Sequence, residues 1–402
     1  MLKKSFLFLA LISASEAETF KEFQQKQMNQ EMDTQKEFRQ YKKSQEDAFN
    51  DYKNAQLKAF DDYKKEVGAF WEDPKMTTKK EWVSYTPDNK TRTDVDFDKN
   101  IITVETIASS PEDAKKRLKL ALAKVVTIDN KGVQESDPLE KRLSKIKKPA
   151  GVIDAPVKNE PILSNVIFDK KPTKNTLKSY VDNNVKDAKI KVVKSVKVKD
   201  AKVYSLNIQM PSDTMQKKSR QYYDDVKTHA TKEGLDIPLV FAIMQTESSF
   251  NPRARSYIPA FGLMQIVPNS AGLDAYNYLY HEKKLVSGSY LYNSTNNIKM
   301  GSAYLHILYY SYLKSVKDPT SRLYCAIAAY NTGAGNVAWA FNKDKNLPSK
   351  QKYLVSKAAD DINVLTPKEV YDRLLRDLKY DEPKNYLKNV SKRMVAYAEI
   401  YK

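Results

Sequence analysis

The hydrophobic pattern of this chain changes its period near Pro211. Before that point, short segments such as Val95 to Phe97 alternate apolar and polar side chains, which is the period of a half-buried strand. After it, apolar residues recur every three or four positions, which is the period of a helix packed on a core. Because one segment cannot satisfy both periods, the chain is predicted to be α+β overall. We expect a small α+β domain at 71–210 and an all-α domain at 211–402.

Local signals predict the elements of these domains. Asp98-Lys99-Asn100 separates two alternating segments and predicts a hairpin, while Ser110-Pro111 predicts the start of a helix. Residues 130–187 are rich in Pro, Lys, Asn and Asp and are predicted to form loops. Alternating Val and Lys residues from Ile190 to Val198 predict a strand, and a turn leads from it to another at Tyr204–Ile208. In the second domain, helices are predicted to begin near Asp213, Asp236, Asn296, Pro319, Pro367 and Pro383.

The segment 18–70 carries an 11-residue repeat, with Phe-x-x-Tyr pairs that begin at Phe38, Phe49 and Phe60. Eleven residues make about three helical turns, so the rings are expected to form one stripe along a long amphipathic helix. The stripe needs a cover. The surface that covers it could be the chain's own downstream domain, a second copy of the chain, a membrane or a wall-associated protein partner.

The first residues have the pattern of a secretory signal peptide, predicted at 1–17. Lys3 and Lys4 precede an apolar run from Phe6 to Ile12, which is too short to span a bilayer as a mature helix. We therefore expect an exported, periplasmic protein. No cysteine follows the run to take a lipid, so membrane contact is expected to be peripheral at most, unless the run stays uncleaved as an anchor.

Charge and residue type limit the partners. The formal net charge is +18, and lysines are concentrated between 140 and 203. This favours an anionic partner such as a wall polymer, a lipid surface or an acidic protein, although a solvated surface without a partner fits equally well. Export argues against nucleic acid. With 3 His, a single cysteine at Cys325 and no ligand spacing, neither a metal nor a cofactor is expected.

Glu247 is the residue best placed for chemistry. It continues the apolar row of Leu239 and Ile243 at a spacing of four residues, so its side chain is predicted to point to the interior. Burial opposes ionisation and is expected to raise the pKa of Glu247 toward the working range of a general acid. The alternative is an ordinary glutamate at a helix end that turns outward to water.

Polar amides, hydroxyls and aromatic rings follow Glu247 on loops, as a carbohydrate site requires. The motifs Glu247-Ser-Ser-Phe-Asn-Pro, Gly262-Leu-Met-Gln and Ala329-Tyr-Asn-Thr-Gly resemble, in order and spacing, those of the lytic transglycosylase domain, which has a lysozyme-like fold. Glu382-Pro-Lys-Asn-Tyr-Leu-Lys-Asn-Val is similar to that family's C-terminal signature. Upstream, the segment from Trp82 to Ile107 resembles the N-terminal domain of membrane-bound lytic murein transglycosylase C. The resemblance covers nearly the whole mature chain.

This resemblance implies that the chain is a lytic transglycosylase that acts on peptidoglycan glycan strands. Glu247 would protonate the oxygen between N-acetylmuramic acid and N-acetylglucosamine and then deprotonate the muramoyl C6 hydroxyl, which closes a 1,6-anhydro ring. Ser256 and Gln265 would bind substrate near the cleaved bond, and Met264 would line the groove. The remaining implied site residues are Tyr330 and Asn331, which would contact the sugar, and Tyr386, which would hydrogen-bond near Glu247.

Two departures from the family pattern stand out. The named relatives carry a lipid-bearing cysteine at the signal cleavage site, and this chain has none there. Ile258 stands where a small polar residue is frequent, which puts one substrate hydrogen bond in doubt. Two other functions remain open. A hydrolytic muramidase of the same fold would need a second carboxylate, for which Asp274 or Glu282 could fold back, and a catalytically silent scaffold would only bind peptidoglycan.

Overall fold

The computed structural model describes residues 47–257 and 259–401. The predicted signal peptide at 1–17, the first part of the predicted long helix at 18–46, and Ile258 lie outside the described residues. Within the described part, the chain forms two compact units. One holds residues 47–58 and 146–150, and the other holds 59–145 and 151–401. The second unit contains both the sheet and the helical region that follows it.

The sheet of the second unit has five antiparallel strands in the order β1-β2-β3-β5-β4. The strands are β1 (Glu81–Tyr85), β2 (Thr91–Asp96), β3 (Ile101–Ala108), β4 (Lys191–Lys194) and β5 (Lys202–Gln209). The hairpin predicted at 98–100 is confirmed, since Asp96 pairs with Ile101 across it. The Asp96 carboxylate accepts the backbone N–H groups of Asp98 and Lys99, which fixes this turn.

Helices account for most of the remaining chain, and the α+β class is confirmed. They are α1 (47–68), α2 (Pro111–Thr127), α3 (Asn130–Ser136), α4 (Pro138–Ser144), α5 (Ser164–Ile167), α6 (Lys174–Asn184), α7 (Thr214–Gln221), α8 (Tyr223–Lys232), α9 (Ile237–Ser248), α10 (Ala271–Tyr280), α11 (Gly288–Leu291), α12 (Ser294–His306), α13 (Pro319–Thr332), α14 (Ala334–Asn342), α15 (Val355–Ile362), α16 (Pro367–Asp377) and α17 (Asp381–Ile400). A π-helical segment, Ile307–Tyr312, extends α12. No helix in the described part is both long and apolar enough to cross a membrane.

One face of the sheet packs against α2. The Ser110 side chain accepts the N–H of Asp113 and Pro111 occupies the first turn, so the predicted helix start is confirmed. Leu118 and Leu122 project from α2 into a core that includes the strand residues Ile102 and Val104. This core fixes the sheet and, with it, the loops at the sheet ends.

The prediction of loops over 130–187 is wrong, because α3 to α6 lie there. These helices are short, and each buries only one or two apolar side chains, so the segment shows weak periodicity. Polar caps define the starts of α3, α4 and α6. Asp129, Asp137 and Thr173 each accept a backbone N–H of the helix that follows.

The strand predicted from Ile190 to Val198 is also shorter than expected. Only Lys191–Lys194 pairs with β5. The chain then turns, since the N–H of Ser195 donates to the Ala201 carbonyl and the Ser195 hydroxyl accepts the N–H of Val198. The valine–lysine alternation therefore continues past the end of β4 into a turn, whose residues are not part of the described sheet.

In the helical region, α9 lies at the centre of the core. Every residue from Leu239 to Met244 is buried, and α9 packs along α17. The Phe241 ring on α9 stacks on the ring of Tyr397 of α17 with 5.4 Å between centroids. The middle turns of α9 are therefore covered on all faces.

We call residues 71–210, which hold the sheet, the sheet domain, and residues 211–401 the helical region. A buried ion pair joins the two. Arg253 Nη2 lies 2.6 Å from Glu140 Oε1, and the two side chains are 2% and 13% exposed. The guanidinium also lies 3.8 Å from the ring centroid of Tyr292. Since an unpaired charge in such a place is costly, each member of the pair depends on the other.

We expect Glu140→Gln to lower the free energy of unfolding by about 3 kcal/mol, because it leaves the Arg253 charge buried without its carboxylate. Chemical denaturation of the variant and the parent protein measures this. Glu135→Gln is the matched control, since Glu135 pairs with Lys131 at 3.7 Å on an exposed helix face; a loss of about 0.5 kcal/mol or less is expected there. Equal losses for the two variants would contradict a special role for the buried pair.

Candidate functional site

Glu247 lies in the last turn of α9 and is 5% exposed. Directly after it, Ser249 and Phe250 both adopt left-handed backbone conformations, with φ of 51° and 62°. Residues other than glycine rarely do this, so the turn is held by its surroundings. The Ser248 hydroxyl donates to the Leu263 carbonyl at 2.8 Å, and the Ser249 hydroxyl donates to Asp98 at 2.7 Å. The inward direction predicted for the Glu247 side chain is confirmed by its burial.

Burial raises the pKa of Glu247 from its ordinary value of 4.5 to about 7. The positive charge of Lys79 is the largest opposing effect, followed by the Tyr386 hydroxyl, while the nearby carboxylate of Glu382 raises the pKa further. A carboxyl group with a pKa near neutrality exists in both protonation states at physiological pH. Such a group can give up a proton and take one back in the same reaction.

Lys79 and Glu382 form a charged pair beside Glu247. The Lys79 ammonium lies 3.5 Å from Glu382 Oε1 and 4.0 Å from Glu247 Oε2. Glu382 is 71% exposed, whereas the Glu247 side chain is 6% exposed. The two carboxylates therefore share one ammonium but differ in their access to water.

Two tyrosines also affect this carboxyl group. Tyr386 of α17 is buried, and the pKa of its hydroxyl is raised by burial and by the charge of Glu247. Among the described residues, no partner forms a well-aligned hydrogen bond with that hydroxyl. Tyr330 of α13 is half-buried and donates its hydroxyl to the Met264 carbonyl at 2.9 Å. The pKa of Tyr330 is likewise raised by burial and then by Glu247.

The loop after α9 carries further predicted site residues. Gly262 has a φ of 73°, and a side chain there would meet the Asn297 amide at 2.4 Å, so glycine is required. Gln265 donates its side-chain amide to the Gly262 carbonyl at 3.0 Å, while its own Oε1 is buried without a partner among the described residues. The Ser256 hydroxyl accepts the N–H of Ala260 at 3.0 Å and so stabilises the same loop.

Met264 lies elsewhere than its predicted role requires. Its side chain is 0% exposed and packs against Gly301, where an added Cβ would lie 2.3 Å from the Met264 sulfur. The structure therefore places this side chain in the core, whereas the sequence resemblance predicted that it would line the groove. An unbranched apolar side chain beside a glycine on α12 fills the core, and only the Met264 carbonyl reaches toward the site, through Tyr330.

Sequence reasoning missed Lys79 as a site residue and missed Glu382 as a carboxylate near Glu247. Glu382 precedes Tyr386 by four residues on α17, and this spacing could have placed it on the same helix face. Asn331 donates its amide to Glu382 at 3.4 Å, which brings this predicted residue to the same cluster. The carboxylates suspected earlier lie elsewhere: Asp274 accepts the Tyr312 hydroxyl, and Glu282 pairs with Lys284.

The described residues contain no cluster of three or more side chains suited to hold a metal ion. What the site offers is a buried proton donor, a nearby ammonium, two tyrosines and the side-chain amides of Gln265 and Asn331. These groups suit acid–base chemistry on a substrate that is rich in hydroxyl and amide groups.

Comparisons with known proteins agree with this chemistry. Residues 224–353 match the family model of the transglycosylase SLT domain, and residues 49–221 match that of the N-terminal domain of membrane-bound lytic murein transglycosylase C. The membrane-bound lytic murein transglycosylase C of Klebsiella pneumoniae is 34% identical over 327 residues, which cover 79% of this chain and 82% of that protein. Its namesake in Serratia proteamaculans is 33% identical over 322 residues, with the same two coverages.

Among solved structures, the 70 kDa soluble lytic transglycosylase of Escherichia coli aligns with 19% identity and a TM-score of 0.33. The alignment covers 46% of this chain and 28% of that protein. Because this identity and this TM-score are low, the assignment to a family depends on the sequence matches.

The raised pKa of Glu247 makes stability depend on pH. The unfolded chain loses this proton above its ordinary pKa of 4.5, whereas the folded chain keeps it up to about 7, so the folded state is penalised as pH rises through that interval. Glu247→Gln removes the penalty. We expect it to raise the free energy of unfolding by about 1–3 kcal/mol at pH 8 and to leave it nearly unchanged at pH 4.

Denaturant titrations at the two pH values measure this difference. Glu282→Gln, at an exposed carboxylate, is the control and is expected to show no gain at pH 8. The same gain for Glu247→Gln at both pH values would mean that the buried carboxyl group is not the source.

Proposed function

Because this chain belongs to the membrane-bound lytic murein transglycosylase C family, we propose that it cleaves peptidoglycan glycan strands with Glu247 as its only acid and base. The observation that carries the proposal is the burial of this carboxyl group at the end of α9, which holds its pKa near 7. The family assignment makes the chain a peptidoglycan lytic transglycosylase. The residue-level mechanism is our proposal.

In the first step, the protonated Glu247 donates to the oxygen between N-acetylmuramic acid and N-acetylglucosamine. The bond from that oxygen to the muramoyl C1 breaks, and positive charge develops at C1. In the second step, the Glu247 carboxylate takes the proton of the muramoyl C6 hydroxyl, whose oxygen bonds to C1. The product is a 1,6-anhydromuramoyl end, and no water is consumed. The proton that Glu247 gave leaves on the N-acetylglucosamine hydroxyl, and the C6 proton returns Glu247 to its protonated state.

A hydrolytic muramidase is the competing reaction of the same fold. It requires a second carboxylate that activates water or bonds to C1, typically about 5–9.5 Å from the acid. Glu382 is the carboxylate to consider, since it shares the Lys79 ammonium with Glu247. Its 71% exposure and its ion pair favour a role in holding Lys79, and the mass of the product distinguishes the two reactions.

The loop after α9 and the helices α13 and α17 supply the proposed substrate contacts. Gln265 and Ser256 bind near the cleaved bond, Tyr330 and Asn331 contact the sugar, and Tyr386 faces Glu247. Support comes from the buried Oε1 of Gln265, which lacks a hydrogen-bond partner among the described residues. Buried polar atoms without partners are expensive, so a ligand that satisfies them gains affinity.

We further propose that the protein works in the cell envelope, as the name of its membrane-bound relatives suggests. The sequence pattern at 1–17 supports export to the periplasm. In that location the anionic polymer of the wall is both substrate and surface.

The sheet domain supplies a basic face that fits such a surface. β4 forms one edge of the sheet, and its lysines are exposed, as are those of the turn that follows. These residues are Lys191, Lys194, Lys197 and Lys199. We propose that they hold the enzyme against anionic groups of the wall or of a wall-associated protein.

For activity, we expect Glu247→Gln to lower the rate of muropeptide release from purified peptidoglycan by about 10²–10⁴-fold, because the amide cannot donate the proton. Mass spectrometry of the products tests the mechanism. The parent protein should release fragments one water lighter than hydrolysis gives.

Glu282→Gln is the control, because Glu282 is exposed and pairs with Lys284. This variant should release the same products at the parental rate. Fragments of full hydrolytic mass would demand a second carboxylate and overturn the single-acid mechanism. Peptidoglycan binding without any release would favour a silent scaffold.

For wall binding, we expect a loss of affinity of about tenfold or more when the four lysines of the β4 face are changed to Gln. Co-sedimentation with peptidoglycan measures it, in the Glu247→Gln background so that the substrate stays intact. The control changes the same number of exposed lysines in the helical region: Lys357, Lys368, Lys388 and Lys392. Equal losses for both sets would show that net charge alone, rather than this face, determines binding.

A further inference from the structure

The segment before β1 is fixed to the loop that follows Glu247. The Thr78 carbonyl accepts the N–H of Arg255 at 3.3 Å, and the Lys79 carbonyl accepts the Asn251 side-chain amide at 3.4 Å. Next in the chain, Lys80 pairs with Asp98 at 2.8 Å, and Asp98 in turn accepts the Ser249 hydroxyl. The sheet domain therefore contacts the end of α9 through main-chain and side-chain bonds on consecutive residues.

These bonds determine where the Lys79 side chain can go. With its backbone held at Asn251, its ammonium lies between the carboxylates of Glu247 and Glu382. The side chain is 40% exposed, so the ammonium keeps part of its hydration while it faces a buried carboxyl group. Coulomb attraction at such a distance is substantial when one partner is out of water.

We propose that Lys79 is a positioning residue of the transglycosylase reaction, whose ammonium stabilises the Glu247 carboxylate formed after the first proton transfer. The inference rests on the proposed function, in which that carboxylate must persist until it takes the C6 proton. A buried carboxylate without a counter-charge is costly. The sheet domain thus contributes to the active site of the helical domain.

Other charged and titratable groups cannot substitute for Lys79. Glu247 is faced by Lys79 and Lys80 from the segment before β1, by Glu382 and Tyr386 from α17, and by Tyr330 from α13. Lys80 is the other cation among these, and it is paired with Asp98. Arg393 of α17, whose charge acts on Tyr386, donates to the Thr246 hydroxyl. Consistent with this geometry, Lys79 has the largest effect that lowers the pKa of Glu247.

Glu382 completes the arrangement. When Glu247 is protonated, the ammonium of Lys79 is still neutralised by Glu382; when Glu247 is ionised, the same ammonium faces both carboxylates. Lys79 therefore stays in place through the proposed proton cycle. The Asn331 amide donates to the same oxygen, Glu382 Oε1, and so also helps to hold this carboxylate.

The test compares the pH dependence of kcat/KM for Lys79→Met with that of the parent full-length protein, using soluble glycan-strand fragments of peptidoglycan. The rate should fall on the alkaline side as Glu247 loses its proton. Loss of the ammonium makes Glu247 a weaker acid, so this limb should move about 1 pH unit higher, and the maximal rate should fall about tenfold. Lys79→Arg should restore both.

Two further variants make the result specific. Lys99→Met removes an exposed lysine of the same domain that pairs with Asp96, and it should leave the profile unchanged. Glu382→Gln removes an anion and should move the alkaline limb to lower pH, opposite to Lys79→Met. This second variant tests the electrostatic arrangement even if Lys79→Met does not fold.

An alkaline limb at the same pH in Lys79→Met, Glu382→Gln and the parent protein would overturn the role of Lys79. If Glu247→Gln is inactive in the same assay, an unchanged alkaline limb contradicts only the role of Lys79 and leaves the proposed function standing. If Glu247→Gln retains the parental rate, the proposed function itself fails.

Discussion

The packing of α9 against α17 is the contact on which the candidate site depends. It excludes water from the middle of α9, and the helix carries its only ionisable side chain, Glu247, to the edge of that dry region. The same contact sets Tyr386 and Glu382 of α17 beside Glu247. One helix pair therefore buries the carboxyl group of Glu247, which makes it a weaker acid. The same pair supplies part of the set of charged and polar groups that shift its pKa.

The sheet domain supplies the other part of that pattern. Its short segment before β1 lies on the loop after α9, and the hairpin residue Asp98 binds the Ser249 hydroxyl. These contacts, together with the buried pair of Arg253 and Glu140, explain why sheet and helices form one compact unit in the described chain. The candidate site is accordingly not contained in the helical region alone.

How much of this could be predicted from the sequence depended on the range of the interactions. The direction of Glu247 followed from four-residue spacing, and the 98–100 hairpin followed from local turn chemistry. Lys79 could not be found in this way, because its closeness to Glu247 comes from docking of segments far apart in sequence. The short helices of 130–187 were missed because each buries only one or two apolar side chains, which leaves little periodicity to detect. The burial of Met264 could not be predicted because Gly301, against which it packs, lies on another helix.

The edge strand β4 has a consequence for the solution behaviour of the protein. Within the described chain its outer side pairs with no other strand, and Val192 and Val193 are 48% and 62% exposed. A strand of this composition could add to the same edge of a second molecule and begin an aggregate, and lysines at such edges oppose that pairing by mutual repulsion. The lysines of this edge therefore oppose pairing between molecules as well as making the edge basic, and their number limits how much charge the edge can lose before such pairing becomes favourable.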